Sequence, residues 1–383
     1  MFPKLRFKEF DGDWFQSKIG EIFQVTSGST PLRSDNRFFE NADIAWVKTT
    51  DLNNGLIEKT EEKISQIALK ETSVKILPKG TVFVAMYGGF NQIGRTGLLV
   101  HEAACNQALS AIYPNEKIDS YFLLTFLNHK VDDWKNFAAS SRKDPNITKS
   151  DVLAFPLKYP VKEEQTKIAS FLSAVDEKIS QLTQKYQLLS QYKQGMMQKL
   201  FSQQIRFKAD DGSEFGEWEE NQLLDLSTKK SSKVTAKDIE DNDGDYIVFG
   251  ASGHFRNINS YTESESYIAI VKDGAGAGRL FLMPEKSSVL GTLEIVKPNL
   301  NTQLNFLFYR MQLIDFSSYI KGSTIPHVYF KDYSQEKIYL PCLEEQTKIA
   351  NFLSAIDQKI EVVAQQIEQA KQWKKGLLQQ MFV

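Results

Sequence analysis

The sequence has little of the chemistry that marks zinc enzymes, secreted scaffolds and membrane proteins. Only two cysteines (Cys105 and Cys342) and four histidines occur among 383 residues, without the spacing of a metal site. No apolar run approaches the roughly 20 residues of a membrane span, and the first residues lack a signal-peptide stretch. We therefore expect two ordinary buried thiols, no metal, no membrane contact and a cytoplasmic location.

Strong charge and catalytic motifs are missing as well. The formal net charge of -2 argues mildly against a nucleic-acid binder. There is no G-x-x-x-x-G-K-[ST] phosphate loop, no H-E-x-x-H motif and no N-P-P-Y-type methyltransferase tetrapeptide. The segment Asp176-Glu177-Lys178 is interpreted as a solvated helix face rather than a nuclease cluster. The sequence thus predicts no catalytic residue.

A duplicated segment is the most informative feature present. The heptapeptide E-E-Q-T-K-I-A occupies residues 163–169 and returns unchanged at residues 344–350. Around it, residues 160–201 align without a gap on residues 341–382, and about half of the positions are identical. A gap-free duplication of this kind predicts two halves related by a pseudo-twofold axis.

Both copies carry apolar residues at alternating steps of four and three, an average of about 3.5 residues that is the coiled-coil period. At about 1.5 Å per residue each helix should run on the order of 50 Å. A pseudo-twofold axis across the pair requires antiparallel packing; the alternative is that each helix packs on its own globular domain. The predicted seam residues are Ile168, Leu172, Val175, Ile179 and Leu182 in the first helix and Ile349, Leu353, Ile356, Ile360 and Val363 in the second.

Two lysines, Lys193 and Lys374, occupy the same slot of the predicted seam in the two copies. The favoured interpretation is that each amine reaches past the seam into solvent. The alternative is that the lysines fix the register, as polar seam residues do in other coiled coils.

The repeat extends past the helices in a cyclic manner. Residues 5–8 (L-R-F-K) return as residues 205–208 (I-R-F-K), directly after the first helix, and a tryptophan follows each copy. The N-terminal segment therefore stands where a chain continuing past Phe382 would stand. Because each residue spans at most about 3.5 Å, the two chain ends are predicted to be neighbours.

The globular segments read as mixed α and β structure. Strand patterns occur at residues 81–86 and 267–271, and short helices at residues 121–127 and 304–312. The predicted fold class is α+β, with two mixed α/β domains separated by a pair of long antiparallel coiled-coil helices in a pseudo-twofold cyclic repeat. The predicted boundaries are residues 1–162 and 202–343 for the domains and residues 163–201 and 344–383 for the helices.

Two glycine-rich segments each follow an apolar strand pattern. Residues 273–278 (D-G-A-G-A-G) look like a nucleotide-binding loop, but a second strand pattern follows where such a loop needs a helix. A tight hairpin is the better interpretation. Residues 87–95 are the counterpart in the first half, so each hairpin ends in an arginine, Arg95 or Arg279. They could carry side chains into a groove of a partner molecule or be plain surface turns.

Polar and basic side chains suited to nucleic acid lie in both halves, although each could be ordinary surface. Arginine reads guanine and asparagine or glutamine reads adenine through paired hydrogen bonds, while lysine and serine hold phosphates. The candidate DNA-binding residues are Arg33, Lys48, Asn91, Gln92, Arg95, Arg142 and Lys143 in the first half and Lys229, Lys233, Arg256, Lys272, Arg279, Ser323, Thr324, His327 and Lys331 in the second.

This arrangement resembles the specificity subunit of type I restriction-modification systems over essentially the whole chain. The resemblance rests on the duplicated E-E-Q-T-K-I-A-x-F-L-S-A-[VI]-D of residues 163–176 and 344–357, each shortly after a proline. Weaker matches are S-G-S-T-P at residues 27–31 with A-W-V-K at residues 45–48, and G-S-T-I-P-H-V-Y-F-K at residues 322–331.

The resemblance implies that the globular halves are target-recognition domains, that each reads one half of a split double-stranded DNA site, and that the helix pair sets the unread gap. It implies two modification subunits, which bind S-adenosylmethionine and methylate adenine, and restriction subunits, which use ATP and Mg. By the same resemblance, this chain is non-catalytic, carries no cofactor of its own and serves host defence.

Two other classes of function stay open. A coiled-coil protein–protein adaptor with two ligand-binding domains would bind with little dependence on salt, whereas DNA reading predicts a steep fall in affinity with salt. A free-standing methyltransferase or nuclease is disfavoured by the missing motifs. The primary hypothesis is a non-catalytic reader of a bipartite DNA site.

Overall fold

The structure, a computed structural model, describes residues 3–88, 91–138, 146–239 and 243–382. The chain divides into two compact units. Unit 1 comprises Met1–Leu182 with Gln366–Val383, and unit 2 comprises Thr183–Gln365. Each unit therefore combines one globular domain with parts of both long helices.

The globular domain of unit 1 is built from short strands and short helices. Its strands are β1 (Phe15–Lys18), β2 (Val25–Ser27), β3 (Ile44–Val47), β4 (Gly55–Ile57), β5 (Glu62–Ile64), β6 (Val82–Ala85), β7 (Thr96–Leu99), β8 (Ala104–Cys105), β9 (Leu109–Ile112) and β10 (Pro156–Tyr159). Its helices are α1 (Ile19–Ile22), α2 (Gln66–Glu71), α3 (Ser120–His129), α4 (Val131–Ala138) and α5 (Lys149–Ala154), with 3-10 helices at Asn36–Phe38 and Thr49–Asp51.

A five-stranded sheet in the order β2-β9-β6-β7-β4 forms the centre of this domain. A smaller sheet has the order β5-β3-β8, and β1 pairs with β10. The apolar run in β6 is buried on both faces, because alternate side chains of a strand point in opposite directions. Val82 and Val84 join the core that includes α3, while Phe83 and Ala85 join a second cluster. The predicted strand and the helix at α3 are confirmed.

The first long helix, α6 (Lys162–Phe201), leads into the domain of unit 2. The strands of this domain are β11 (Glu219–Gln222), β12 (Ser227–Ser231), β13 (Tyr246–Gly250), β14 (Gly253–Ile258), β15 (Tyr267–Val271), β16 (Leu280–Met283), β17 (Ser288–Val289), β18 (Leu293–Pro298) and β19 (Lys337–Leu340). Its helices are α7 (Leu223–Leu226), α8 (Leu304–Met311) and α9 (Phe330–Tyr333), with 3-10 helices at Lys237–Ile239 and Phe316–Tyr319. The second long helix, α10 (Leu343–Met381), follows.

The two domains share one strand framework. The main sheet of unit 2 has the order β12-β18-β15-β16, which corresponds to β2-β9-β6-β7, and the smaller sheet β14-β13-β17 corresponds to β5-β3-β8. The pair β11 and β19 corresponds to β1 and β10. In both domains the smaller sheet contains a short parallel pairing, β3 with β8 and β13 with β17. The predicted α+β class with two similar mixed domains is confirmed.

Within each unit the two long helices pack antiparallel, as predicted. In unit 1, the rings of Phe171 and Trp373 lie 6.0 Å apart, where an early part of α6 meets a late part of α10. In unit 2 the reverse holds, since Lys193 of α6 binds Asp357 of α10. The helices contain 40 and 39 residues, which gives each a length of about 60 Å.

The seam side chains contribute to the cores of both units. Among the ten predicted seam residues, Ile179 and Ile360 are half-buried and the others are buried. Several also pack on a globular domain: Ile168 and Leu172 share a core with α3, and Ile349 and Leu353 share one with α8. Tyr186, the next position of the same series, is 38% exposed, so the seam is not closed along its whole length.

The solvent-facing interpretation of Lys193 and Lys374 is wrong. Their side chains are only 16% and 20% exposed, and each amine binds an aspartate of the opposite long helix. The nitrogen–oxygen distance is 2.6 Å in both pairs. Asp176 is the partner of Lys374, so it does not belong to a purely solvated face either. The sequence pattern could not show these pairs, because each joins residues far apart in the chain.

The chain ends are neighbours, as predicted. In unit 1 the backbone N–H of Leu5 donates to the carbonyl of Gln380 at 2.9 Å, near the end of α10. The equivalent joint in unit 2 is the bond from Ile205 N–H to the carbonyl of Lys199 at 3.3 Å. The cyclic repeat in the sequence therefore corresponds to the same local structure in both units, a segment hydrogen-bonded to the end of a long helix.

The E-E-Q part of the repeat anchors the start of each long helix. Gln165 donates to the carbonyl of Pro160 at 2.9 Å and accepts from the backbone N–H of Asp119 at the start of α3. Gln346 makes the same pair of bonds, with Pro341 and the N–H of Gln303 before α8. Each buried glutamine thus joins its long helix to the adjoining domain.

The two cysteines differ in environment. Cys105 is buried, and burial raises the pKa of its thiol to about 12, so this thiol is neutral at ordinary pH. Cys342 is exposed just before α10, so the expectation of a buried thiol is wrong there. Within the ranges that the structure describes, no helix has the length and apolar character needed to cross a bilayer.

Candidate nucleic-acid interface

Each domain presents a hairpin of the same construction. In unit 1, between β6 and β7, Ala85 N–H donates to the carbonyl of Arg95 at 2.8 Å, and Gly94 N–H donates back to Ala85 at 3.0 Å. In unit 2, between β15 and β16, Val271 is bonded to Arg279 and Gly278 in the same way, at 2.9 and 2.8 Å. The hairpin interpretation of the glycine-rich segments is confirmed, because the second segment leads into an antiparallel strand rather than a helix.

A glycine before each arginine makes the turn possible. Gly94 and Gly278 have φ values of +77° and +90°, in the left-handed region that favours glycine. A Cβ atom would also lie 2.7 Å from Trp134 in the first case and 2.5 Å from Phe316 in the second. The aromatic side chain packed on each glycine therefore fixes the path of the hairpin just before its arginine.

In each unit a further backbone segment docks on the hairpin. Ile147 N–H donates to Met86 at 3.0 Å in unit 1, and Val328 N–H donates to Lys272 at 2.9 Å in unit 2. In unit 2, Gly274 N–H also binds the carbonyl of Pro326 at 2.9 Å. The segment that docks on the hairpin of Lys272 and Arg279 thus lies within residues 323–331, which include the predicted Ser323, Thr324, His327 and Lys331.

His327 is held against the hairpin by its side chain. Its Nδ1 lies 2.8 Å from an oxygen of Asp273, and its ring stacks on Tyr329 with 6.1 Å between centroids. Lys331 places its amine 5.8 Å from the centre of the same tyrosine ring. The exposed Tyr329 face, with a histidine and a lysine beside it, has the chemistry of a surface that stacks on bases and holds phosphates.

Two predicted residues of unit 1, Arg33 and Lys48, are held by acidic partners. The Arg33 guanidinium binds Glu62 at 2.6 Å and lies 5.0 Å from the Trp46 ring centre. The Lys48 amine binds Glu62 at 2.7 Å and Glu61 at 3.2 Å, and the hydrogen bond that it donates to Glu62 is the main cause that raises the pKa of Lys48. DNA contact by either side chain would require it to leave or share this carboxylate.

The other predicted residues of unit 1 differ in position. Asn91 is exposed beside the hairpin, while Gln92 and Arg95 are half-buried. Arg142 and Lys143 lie outside the described residues. Ile147, which docks on the hairpin strand, follows them after a few residues.

In unit 2, several predicted residues contact the protein itself. Lys229 binds Glu294 at 3.0 Å, although this lysine side chain is 46% exposed. Arg256 donates to the carbonyl of Ile239 at 3.0 Å, and Arg279 donates to that of Ala251 at 3.2 Å. Lys233 is exposed. DNA contact by these sixteen candidates stays a prediction.

Sequence reasoning missed the carboxylates beneath the basic surface of unit 2. Glu263 is 3% exposed and binds the amines of Lys230 at 2.5 Å and Lys297 at 2.8 Å. Burial raises its pKa, but the two lysines outweigh burial and the net pKa is lowered. Glu263, Lys230 and Lys233 line a cleft of about 530 Å³. These residues come from separate strands and loops, so no local sequence pattern could have shown the cluster.

The described residues include no group of three or more histidine, cysteine, aspartate or glutamate side chains arranged to hold a metal ion. Each unit does have an equivalent hairpin with an arginine at its base, and the polar residues around the hairpin differ between the units.

Comparisons with known proteins agree over nearly the whole chain. The family model for the type I restriction modification DNA specificity domain matches residues 11–191 and 216–372. The type I restriction enzyme MjaIX specificity subunit of Methanocaldococcus jannaschii is 24% identical over 97% of this chain and 94% of its own length. The putative MjaX specificity subunit of the same organism is 28% identical over 98% of this chain and 94% of its own length. The crystal structure of the type I restriction-modification S subunit from M. genitalium superposes with a TM-score of 0.71 at 17% identity, covering 100% of this chain and 99% of that one.

Proposed function

The chain belongs to the family of type I restriction modification DNA specificity domains and has the role of a DNA specificity subunit; from this premise we propose that it reads a bipartite DNA site. Each unit reads one half-site. The continuous helices α6 and α10, which each contribute to both units, set the number of unread base pairs.

The observation that carries this proposal is the pair of equivalent hairpins with unequal surroundings. Arg95 and Arg279 have the same backbone hydrogen bonds, yet the first hairpin carries Asn91 and Gln92, whereas in the second Asp273 binds His327. In this proposal the common strand framework gives each domain a reading element at the same point. Different neighbours then allow each domain to read a different short sequence.

We further propose that this chain does no bond chemistry and carries no cofactor. Adenine methylation would be performed by two modification subunits that bind S-adenosylmethionine, and cleavage by restriction subunits that use ATP and Mg. The net charge of -2 fits this division, because partners that embrace the duplex would share the phosphate contacts. The complex would serve host defence.

The experiment that tests bipartite reading uses the chain reconstituted with its modification subunits. First, the modified adenines of the host genome define the site and its gap. Synthetic duplexes then carry the same half-sites with the gap unchanged, shortened or lengthened by one base pair. We expect methylation of the unchanged site and loss of methylation at both altered gaps. Altering the sequence of the gap at constant length is the matched control and should have no effect.

A continuous recognition site, or equal methylation at every gap length, would contradict the proposal. The adaptor alternative is tested by titrating salt in the binding assay. A specificity subunit that holds phosphates in its complex loses affinity steeply with salt, whereas a protein adaptor binds its partner with little change.

A further inference from the structure

One carboxylate of unit 1 joins three elements. Asp176 of α6 accepts a hydrogen bond from the Tyr121 hydroxyl of α3 at 2.6 Å. The same carboxylate accepts two bonds from the Lys374 amine of α10, at 2.6 and 2.8 Å. Asp176 therefore ties the globular domain, its own long helix and the opposite long helix together.

Unit 2 contains the same arrangement with the helices exchanged. Asp357 of α10 accepts from the Tyr309 hydroxyl of α8 at 2.7 Å, and the Lys193 amine of α6 lies 2.6 Å from it. The Lys193 amine also lies 5.0 Å from the centre of the Tyr309 ring, which adds a cation–π contact. We call these two sets, Tyr121–Asp176–Lys374 and Tyr309–Asp357–Lys193, the Tyr-Asp-Lys clusters.

The apolar seam alone does not define one register. Its pattern repeats about every seven residues, so a shift of one heptad again brings apolar positions together. The charged pairs do not repeat in this way. After a shift of one heptad in either direction, each aspartate would face an apolar or aromatic side chain: Ile367 or Met381 for Asp176, and Tyr186 or Leu200 for Asp357.

Leaving these charges unpaired at the seam is unfavourable. The lysine side chains are 20% and 16% exposed and the aspartates 34% and 37%, so neither side is fully solvated. A shifted register would remove both ion pairs at once and leave each aspartate with only its tyrosine, which lies in the domain anchored to the same long helix. The observed register keeps both ion pairs, one in each unit.

We propose that Asp176, Lys374, Asp357 and Lys193 are specificity-determining positioning residues. They select the register of the helix pair and thereby the number of unread base pairs that the complex accepts. This inference rests on the proposed bipartite reading. A shift of one heptad moves one helix along the other by about 10 Å, which corresponds to about three base pairs of B-DNA.

The test compares gap selectivity in reconstituted methyltransferase complexes. The variant Asp176→Asn/Asp357→Asn removes both charges with little change of shape. We expect the ratio of methylation at the native gap to methylation at gaps altered by one to three base pairs to fall by about fivefold or more, the factor that corresponds to about 1 kcal/mol. The control Glu214→Gln removes a carboxylate that pairs with Lys208 on the exposed surface of unit 2, and it should leave the ratio unchanged.

Charge exchange separates positioning from general stability. The exchanged variant Asp176→Lys/Lys374→Asp/Asp357→Lys/Lys193→Asp restores the pairs with reversed polarity. We expect it to recover most of the selectivity that the amide variant loses. If the amide variant does not fold, the exchanged variant is compared with the wild type directly: a folded exchanged variant that keeps the preference for the native gap supports the proposal, and a folded one that has lost this preference contradicts it.

Two results would overturn the inference: an amide variant that folds and keeps the wild-type ratio, or an exchanged variant that is no better than the amide variant. Failure of the proposed function looks different. In that case the wild-type complex itself methylates every gap equally, whereas failure of the positioning role leaves the wild type selective and the amide variant equally selective.

Discussion

The second glutamate of the repeated E-E-Q, Glu164 in α6 and Glu345 in α10, is a fully buried carboxylate with a different set of hydrogen-bond donors in the two copies. Glu345 accepts from Arg206 at 2.7 and 3.0 Å and from the indole N–H of Trp218 at 3.0 Å. Glu164 accepts from Arg6 at 2.8 and 2.7 Å. Among the described residues, the indole nitrogen of Trp14, the counterpart of Trp218, is buried without a hydrogen-bond partner. The two equivalent glutamates therefore contribute differently to the stability of their units.

This difference predicts unequal costs for the same substitution. Both tryptophans are 8% exposed and pack on phenylalanines, so Trp→Phe removes similar volume at each position. Only Trp218→Phe also removes a hydrogen bond to a buried carboxylate, which is worth about 1.5–3 kcal/mol. We expect Trp218→Phe to lower the free energy of unfolding by about that much more than Trp14→Phe. Urea denaturation followed by circular dichroism measures both; equal losses would mean that the indole bond to Glu345 contributes nothing.

Position by position, the sequence identified the basic residues but not the acids that hold them. Arg33, Lys48 and Lys229 were visible as candidate DNA contacts, while their partners Glu62 and Glu294 lie on other strands or loops. A cross-strand ion pair leaves no periodic trace in the chain, because the spacing between its members depends on strand order. The tertiary arrangement alone determines which basic groups are already paired.

The long helices are the elements that the sequence predicted best. Their period follows from the repeat of apolar side chains, and antiparallel packing follows from the symmetry of the duplication. The contacts of Lys193 and Lys374 did not follow, since each depends on an aspartate of the opposite helix. Periodicity shows which face of a helix is buried, but it does not show what a polar residue on that face meets.

Each long helix also contains a glycine in an equivalent position, Gly195 in α6 and Gly376 in α10. An added Cβ would meet nothing within 4 Å at either position. Because glycine is about 0.5–1 kcal/mol less favourable than alanine inside a helix, Gly195→Ala and Gly376→Ala should each raise the free energy of unfolding by about that amount. Thermal or urea denaturation checks the sign.

Gly28→Ala is the control of opposite sign. Its Cβ would lie 2.1 Å from the carbonyl oxygen of Cys105, a backbone atom that cannot move aside cheaply, so this variant should be destabilised. If the helix variants lose stability as well, the glycines serve a bend or a contact that straight-helix propensity does not describe.

At the scale of the molecule, the cyclic repeat predicted both the two-unit organisation and the joined chain ends. The bond between Leu5 and Gln380 repeats the one between Ile205 and Lys199, so the sequence relation and the structural relation are the same. The candidate DNA-binding residues could not be found in this way, because the residues around the two hairpins differ between the halves. The shared framework is visible in the sequence because parts of it are duplicated. The residues around the hairpins differ between the two domains, so no repeat reveals them.

The proposed division of reading between the units gives a prediction for their equivalent arginines. Arg95 and Arg279 occupy matching hairpin positions in different units. We expect Arg95→Ala to relax base preference in one half-site only and Arg279→Ala in the other only, each by about 1–3 kcal/mol for a paired contact to a base. Methylation rates on duplexes randomised in one half-site at a time measure both effects. The double variant should show the sum of the two, because independent sites contribute additively.

Lysine substitutions at the same positions distinguish the possible contacts. If an arginine binds a base edge through its two-pronged guanidinium, Arg→Lys keeps the charge but loses the paired bond, so preference relaxes while the salt dependence is retained. If it holds a phosphate, Arg→Ala weakens binding to all sequences equally and lowers the salt slope by about one, and Arg→Lys is tolerated. The proposal assigns one half-site to each unit, and the two arginines lie in different units. If both alanine variants relaxed base preference in the same half-site, reading by separate units would be contradicted.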